Sequence, residues 1–293
     1  MGSFGESERR ILSLMSAGAE FTYKGNDYVI VKSDKPTCPK GEPKTDIYIL
    51  AKSDVDELEI KISYKKENAD FLENKMSAER AEQLFGSEWK QIIEKSTTAI
   101  SDKFAERMLI YRNAYKKTEK GSITLGWKFE LLNKQGGELS GKMLLSEDQT
   151  IDVYAGNNLS EDKRDAVVCG EIIKDSGIAN YILMDDDVKT VQEVIDKMIP
   201  IDDYVEIHPD IYFACKALNY RSFKEKWDGN RPLSVQVDWD AKDGRLVPTI
   251  VYDEPLTVKG NEMANRLLKY MRMLHIKNTD DINENNAGTD KIV

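Results

Sequence analysis

Gly41-Glu42-Pro43-Lys44-Thr45-Asp46-Ile47-Tyr48-Ile49-Leu50 and, a few residues on, Leu58-Glu59-Ile60-Lys61-Ile62-Ser63 are the two runs whose reading decides the fold. In the second run Leu58, Ile60 and Ile62 alternate with Glu59, Lys61 and Ser63. That period of two places apolar groups on one face of a strand and polar groups on the other. The first run reads as a strand over Thr45 to Ala51, entered from a loop over Ser33 to Pro43 that holds three prolines and a glycine. Lys52 to Glu57 is polar and joins the two. Neighbouring antiparallel strands would bring Asp46 near Glu59 and Lys61.

Outward from this pair, Glu20 to Lys24 and Asp27 to Lys32 read as a hairpin turning at Gly25-Asn26. Before them, Glu6 to Ala17 places Ile11, Leu12, Leu14 and Met15 on one side of a short helix ended by Gly18. After the pair, Ser77 is an N-cap for two or three helices reaching toward Tyr115. Further strands are expected at Ile123 to Leu132, Lys142 to Leu145, Ile178 to Met184, Tyr212 to Leu218, Leu233 to Trp239 and Leu246 to Val251. Helices are expected near Asp148 to Tyr154, at Val188 to Met198 and at Asn261 to Leu274. This mixed order predicts an α+β chain: a core over 1–120, a strand-rich second half over 121–277 and a flexible, asparagine-rich tail over 278–293.

Composition narrows the chemistry. Of the 293 residues 40% are hydrophobic and 32% charged, the balance of a globular chain, and no apolar run approaches the roughly 20 residues needed to span a bilayer. The N-terminal run lacks an apolar core with a small-residue cleavage site, so no secretory signal and a cytoplasmic location are expected. Three widely spaced cysteines predict reduced thiols rather than disulfides or a zinc site. With two histidines, His208 read as a loop residue and His275 as a helix-end cation, catalysis is left to carboxylates and lysines. Asp185-Asp186-Asp187 reads as an acidic turn, since three consecutive residues cannot face one point.

Two carboxylates such as Asp46 and Glu59 make a hard oxygen site suited to Mg²⁺, which takes one or two carboxylates together with waters and substrate phosphate oxygens. A lysine beside them, here Lys61, can orient or deprotonate an attacking water and offset charge in the transition state. The alternative is that Glu59 and Lys61 are the solvated face of an ordinary strand.

The run Pro43-Lys44-Thr45-Asp46 followed by Glu59-Ile60-Lys61 resembles the PD-(D/E)xK nuclease superfamily, and type II restriction endonucleases in particular. Two residues separate the proline from the aspartate, where the family's nominal motif has none. Ser63, Lys65 and Lys66 continue the likeness to the active-site segment of small restriction enzymes, and the helix, strands and following helix fit the family's αβββα order. The resemblance covers about the first third of the chain. It implies a restriction-endonuclease-like core, a Mg²⁺-dependent deoxyribonuclease cutting double-stranded DNA, and Asp46, Glu59 and Lys61 as catalytic residues. It further implies metal contacts from Asp46, Glu59 and the helical Glu8, and DNA contacts from Lys44, Ser63, Lys65 and Lys66. Cutting both strands of a duplex suggests a homodimer. A repair, phage or defence nuclease of low specificity is the alternative within the fold; a non-enzymatic nucleic-acid or phage-assembly binding protein is the alternative outside it.

A net charge of −10 means that any DNA surface must gather its basic groups locally. Two stretches do so. Tyr220, Arg221, Lys224, Asn230 and Arg231 mix basic, amide and aromatic groups suited to base edges and phosphates, against the alternative of an ordinary surface loop. Arg107 to Lys120 interleaves Arg107, Arg112, Lys116, Lys117 and Lys120 with Tyr111 and Tyr115, against the alternative of the polar end of a helix.

Overall fold

The computed structural model describes residues 4–65, 71–185 and 187–293. The chain opens with α1 (Phe4–Leu14), β1 (Glu20–Tyr23), β2 (Asn26–Asp34), β3 (Ile47–Lys52) and β4 (Glu57–Tyr64). It continues through β5 (Phe71–Glu73), α2 (Ala78–Phe85), α3 (Trp89–Thr98), α4 (Ser101–Ala105), β6 (Ile110–Tyr111), β7 (Ser122–Leu132) and β8 (Ser140–Lys142). Then come α5 (Glu147–Ala155), α6 (Glu161–Arg164), β9 (Val167–Val168), β10 (Glu171–Ile172), β11 (Tyr181–Leu183), α7 (Val191–Lys197), β12 (Ile199–Pro200) and α8 (Ile201–Ile207). The last stretch holds β13 (Tyr212–Arg221), β14 (Lys226–Trp227), β15 (Val235–Lys242), β16 (Arg245–Val251) and α9 (Gly260–Met273). The fold class is α+β. Among the described residues no helix is long and apolar enough to cross a membrane.

These elements form two units, and neither is one continuous stretch: Met1–Ala69, Gln83–Gly86 and Leu145–Asp210 make the first, and Asp70–Glu82, Ser87–Leu144 and Ile211–Val293 the second. The expected boundary near 121 is therefore replaced by an interleaved division. Its cause is strand pairing across long sequence separations. β11 joins β4 in parallel, which requires a crossover connection, and β7 lies between β13 and β15.

The first unit is built on a six-stranded sheet ordered β1-β2-β3-β4-β11-β12, with β1 to β4 an antiparallel meander. Ile47, Ile49 and Ala51 of β3 and Ile60, Ile62 and Tyr64 of β4 are buried in one core with Ile11 of α1, Met15 just after it, and Val194 and Ile195 of α7. Each such aliphatic side chain contributes about 1.5–3 kcal/mol by leaving water. Glu8, Ile11 and Met15 fall at i, i+3 and i+7 on α1, so the stripe that packs on the sheet carries a carboxylate with it, and Glu8 is buried.

In the second unit β7 is the spine of an eight-stranded sheet, paired along its length with β13 and at its middle with β15. At Gly126 the β13 register shifts, φ is +143°, and an added Cβ would come within 2.5 Å of the Val235 carbonyl oxygen; glycine is required there. The helical pattern expected to reach Tyr115 ends in α4, and Ile110–Tyr111 pairs with β7 instead. Nor is 278–293 a loose tail. Ile282 and Thr279 are fully buried, the Lys291 carbonyl accepts from Leu109 and Ile110 N–H, and Ile292 bridges Ile110. Apolar residues scattered through a polar segment anchor it.

Candidate functional site

The β3–β4 register separates the residues that the sequence groups together. Ile47 pairs with Ile62, Tyr48 with Lys61 and Leu50 with Glu59, closed by a turn in which Ser53 N–H donates to the Asp56 carbonyl. Asp46, one residue before β3, therefore lies beside Ser63, and Glu59 lies four residues away along β4, roughly 13 Å at strand spacing. Two distinct clusters result.

The first surrounds Asp46. Its N–H donates to the Ile62 carbonyl (2.8 Å), and its Oδ2 accepts from Tyr64 N–H (2.7 Å), so the carboxylate is fastened to the end of β4. The approach is fixed by Gly177, whose carbonyl accepts from Lys44 N–H and Thr45 N–H at 2.9 and 3.1 Å. A Cβ at position 177 would lie 1.9 Å from the Lys163 carbonyl oxygen, which excludes any larger residue. Glu8 arrives from α1 held by Lys35, Nζ to Oε1 2.7 Å. Burial raises the Asp46 pKa above its ordinary value and Glu8 pushes the same way, while Lys65, the Tyr64 N–H and Lys35 oppose them. The Ser63 and Thr45 hydroxyls beside it are buried and have no hydrogen-bond partner among the described residues.

The second cluster holds Glu59 and Lys61. Tyr48 Oη donates a short hydrogen bond to Glu59 Oε1, and Lys61 Nζ lies 3.6 Å from Glu59 Oε2 and donates to the Asp175 carbonyl at 3.1 Å. Asn180 spans the pair through its amide, accepting from Lys61 N–H (2.7 Å) and donating to the Glu59 carbonyl (3.0 Å). Burial, then Glu59, pushes the Tyr48 phenol far above its usual range, so it stays a donor. These groups brace β4 against the segment leading into β11.

The residues available to a divalent cation are thus Asp46 and Glu8. Among the described residues no three His, Cys, Asp or Glu converge on one point. A pair of carboxylates with unpartnered hydroxyls alongside nevertheless suits Mg²⁺, which completes its octahedron with water and substrate oxygens. Of the two lysines that act on Asp46, Lys65 has the larger effect and Lys35 the smaller; the sequence gives that place to Lys61.

The expected DNA contacts fare unevenly. Lys44 and Ser63 are buried and Lys65 is half-buried, while Lys66 lies outside the described residues. Tyr220 is 2% exposed and cannot stack on a base without unfolding β13. The stretch it begins is a hairpin rather than a loop, with Tyr220 paired to Trp227 and Arg221 to Lys226. Arg221 makes a bidentate pair with Asp228 (2.7 and 2.8 Å) and donates to Ser122 Oγ (2.7 Å); Lys224 is paired with Glu119 (2.8 Å). Asn230 Oδ1 accepts from Asn261 N–H at the start of α9, and Arg231 is exposed. Basic and amide groups here close the fold on themselves.

Elsewhere, His208 stacks on Tyr204 with ring centroids 4.4 Å apart. Asp185 accepts from Asp187 N–H and pairs with Lys197, the bonding of an acidic turn; Asp186 lies outside the described residues. All three cysteines are free, and burial pushes the Cys215 thiol up to about 12.

Lys35 and Gly177 are the site residues that sequence reading does not reach, because each meets Asp46 only through tertiary contact. The Asp46–Ser63 juxtaposition does have a signal: counting outward from the Ser53 to Asp56 turn gives it directly. The chain matches no family model, no curated protein and no solved structure.

Proposed function

We propose that the chain is a Mg²⁺-dependent endonuclease of the PD-(D/E)xK type that hydrolyses phosphodiester bonds of double-stranded DNA, with its site formed by Asp46, Glu8 and Lys65. The observation that carries this reading is a buried Asp46 fastened to Tyr64 N–H at the end of the β3–β4 pair, where the charges of Glu8, Lys35 and Lys65 act on it and Lys35 pairs with Glu8. A helix followed by an antiparallel strand series, with the aspartate entering one strand and a lysine leaving the next, supports a restriction-endonuclease-like core, here with four strands, β1 to β4, where the αβββα order has three.

In this site Asp46 and Glu8 are the carboxylates that would hold the cation. Mg²⁺ held there would supply Lewis-acid activation of the phosphoryl group and lower the pKa of a water. Lys65, whose charge acts on Asp46, would offset the charge that accumulates on the phosphoryl oxygens. Lys35 holds Glu8 in place against carboxylate repulsion. Glu59 and Lys61 brace β4. Cutting a duplex on both strands calls for a two-fold dimer.

Plasmid incubated with and without Mg²⁺ tests the proposal. Discrete fragments indicate a restriction enzyme and a smear a nuclease of low specificity. Intact plasmid at every Mg²⁺ concentration removes the enzymatic reading and leaves a binding protein.

A further inference from the structure

The basic and aromatic stretch over Arg107 to Lys120 belongs to the second unit, and the Asp46 site makes no use of it. Instead of a helix end, it forms the wall of a cavity of about 420 Å³, a volume within the range of small-ligand sites. An adjoining cavity of about 240 Å³ shares Arg107, Tyr111, Thr118 and Glu138 and reaches inward to Trp127 and Cys215.

Four features of this wall point to an anionic ligand carrying a ring. Arg107 and Lys116 both grip the Glu138 carboxylate, Lys116 Nζ at 2.9 Å, and together they hold its pKa down at about 2. Arg107 Nε is buried in the same wall and has no hydrogen-bond partner among the described residues, an unsatisfied donor that an oxygen of a ligand would complete. Lys116 itself sits in a tight turn closed by paired hydrogen bonds between Tyr115 and Thr118, with φ at +51°. That conformation favours glycine or asparagine, so the turn tolerates strain in order to present a lysine. On either side Tyr111 is half-buried and Tyr115 is 43% exposed, offering ring faces next to the cations.

We propose that this cavity binds one nucleotide unit, its phosphate replacing the Glu138 carboxylate on Arg107 and Lys116 and its base stacking on Tyr111 or Tyr115. Glu138 is then a built-in competitor, holding the two cations in position until a phosphate displaces it. The site does not depend on the hydrolytic reading, because it lies in the other unit and needs no metal.

Fluorescence anisotropy of a fluorescein-labelled hexathymidylate in EDTA tests it, using the full chain. Lys116→Gly relaxes the strained turn while removing the ammonium. It should leave the melting temperature unchanged or raised, weaken binding about tenfold, one charge-assisted contact, and flatten the salt dependence by about one ion. Glu138→Gln should act in the opposite direction, tightening binding about fivefold by weakening the competitor. A hexamer carrying 5-bromodeoxyuridine should photo-crosslink to the peptides holding Tyr111 and Tyr115. Competition by dTMP at concentrations matching the hexamer marks a free-nucleotide site, and failure of dTMP to compete marks a strand-binding one. Wild-type affinity in Lys116→Gly, weaker or unchanged binding in Glu138→Gln, or crosslinks confined to other peptides would each overturn the proposal.

Discussion

Substituting Glu59 by glutamine separates the site drawn from the sequence motif from the site drawn from the strand register. At roughly 13 Å from the Asp46 position, Glu59 is far outside the 2.0–2.1 Å at which Mg²⁺ binds oxygen. Its remaining influence is through space. A unit charge and a divalent ion 13 Å apart interact by about 0.6 kcal/mol at a dielectric of 80 and about 2.6 kcal/mol at 20. Screening at physiological salt, with a Debye length of about 8 Å, cuts this to about 0.1–0.5 kcal/mol, and the partner Lys61 at 3.6 Å cancels part of what is left. Glu59→Gln is therefore expected to change divalent-ion affinity by no more than about twofold. Glu8→Gln and Asp46→Asn each remove a ligand of the proposed site and are expected to cost tenfold or more, on the order of the losses seen even for outer-shell partners. Calorimetric titration with Ca²⁺ at 0.15 M ionic strength reads both, with thermal melts confirming that each variant folds. A tenfold loss in Glu59→Gln, or an undisturbed Glu8→Gln, would show that the register argument has misassigned the ligands.

Asp46→Asn should also stabilise the metal-free chain at neutral pH, since burial is the main cause of the raised Asp46 pKa. Between the unfolded value of 3.8 and the raised folded value the native chain keeps a proton that the unfolded chain has lost, so stability declines as pH rises through that window and the deficit is complete above it. Scanning calorimetry in EDTA across this range should show the decline in wild type and its absence in the variant; a lower melting temperature for Asp46→Asn at pH 7 would contradict the argument. Gly177→Ala drives a Cβ to 1.9 Å from the Lys163 carbonyl oxygen and should cost about 2–3 kcal/mol in urea unfolding, with Ca²⁺ affinity falling too as the Lys44 and Thr45 anchors shift. Arg221→Ala removes a bidentate pair with Asp228 and should lose about 1–3 kcal/mol of stability; equal binding of variant and wild type to different duplex sequences, at a temperature where both are folded, would establish the structural role.

Local periodicity determined much of the first unit without any structure. The alternation of Ile47, Ile49 and Ala51, and of Ile60 and Ile62, is a property of neighbouring residues and specifies which strand face is buried. The β1–β2 hairpin, which turns at Lys24-Gly25 rather than at the expected Gly25-Asn26, the cap at Ser77 and the long C-terminal helix are equally local, each set by one turn residue, one hydroxyl or one apolar stripe. Alternation does not fix pairing, however, because sliding one strand by two residues keeps every side chain on its face. Whether Asp46 faces Ser63 or Glu59 thus rested on the turn, and the meeting of Glu8, Lys35 and Asp46 rested on how α1 and the loop before β3 pack at the sheet's end. Gly177, which fixes the approach to Asp46, lies far along the chain and reaches it only because α5, α6 and β11 return to the first sheet. Charge was the least legible quantity. Arg221, Lys224 and Lys116 look alike as free cations in sequence, but each is paired with a carboxylate from elsewhere in the chain, and only tertiary structure brings Asp228, Glu119 and Glu138 to them.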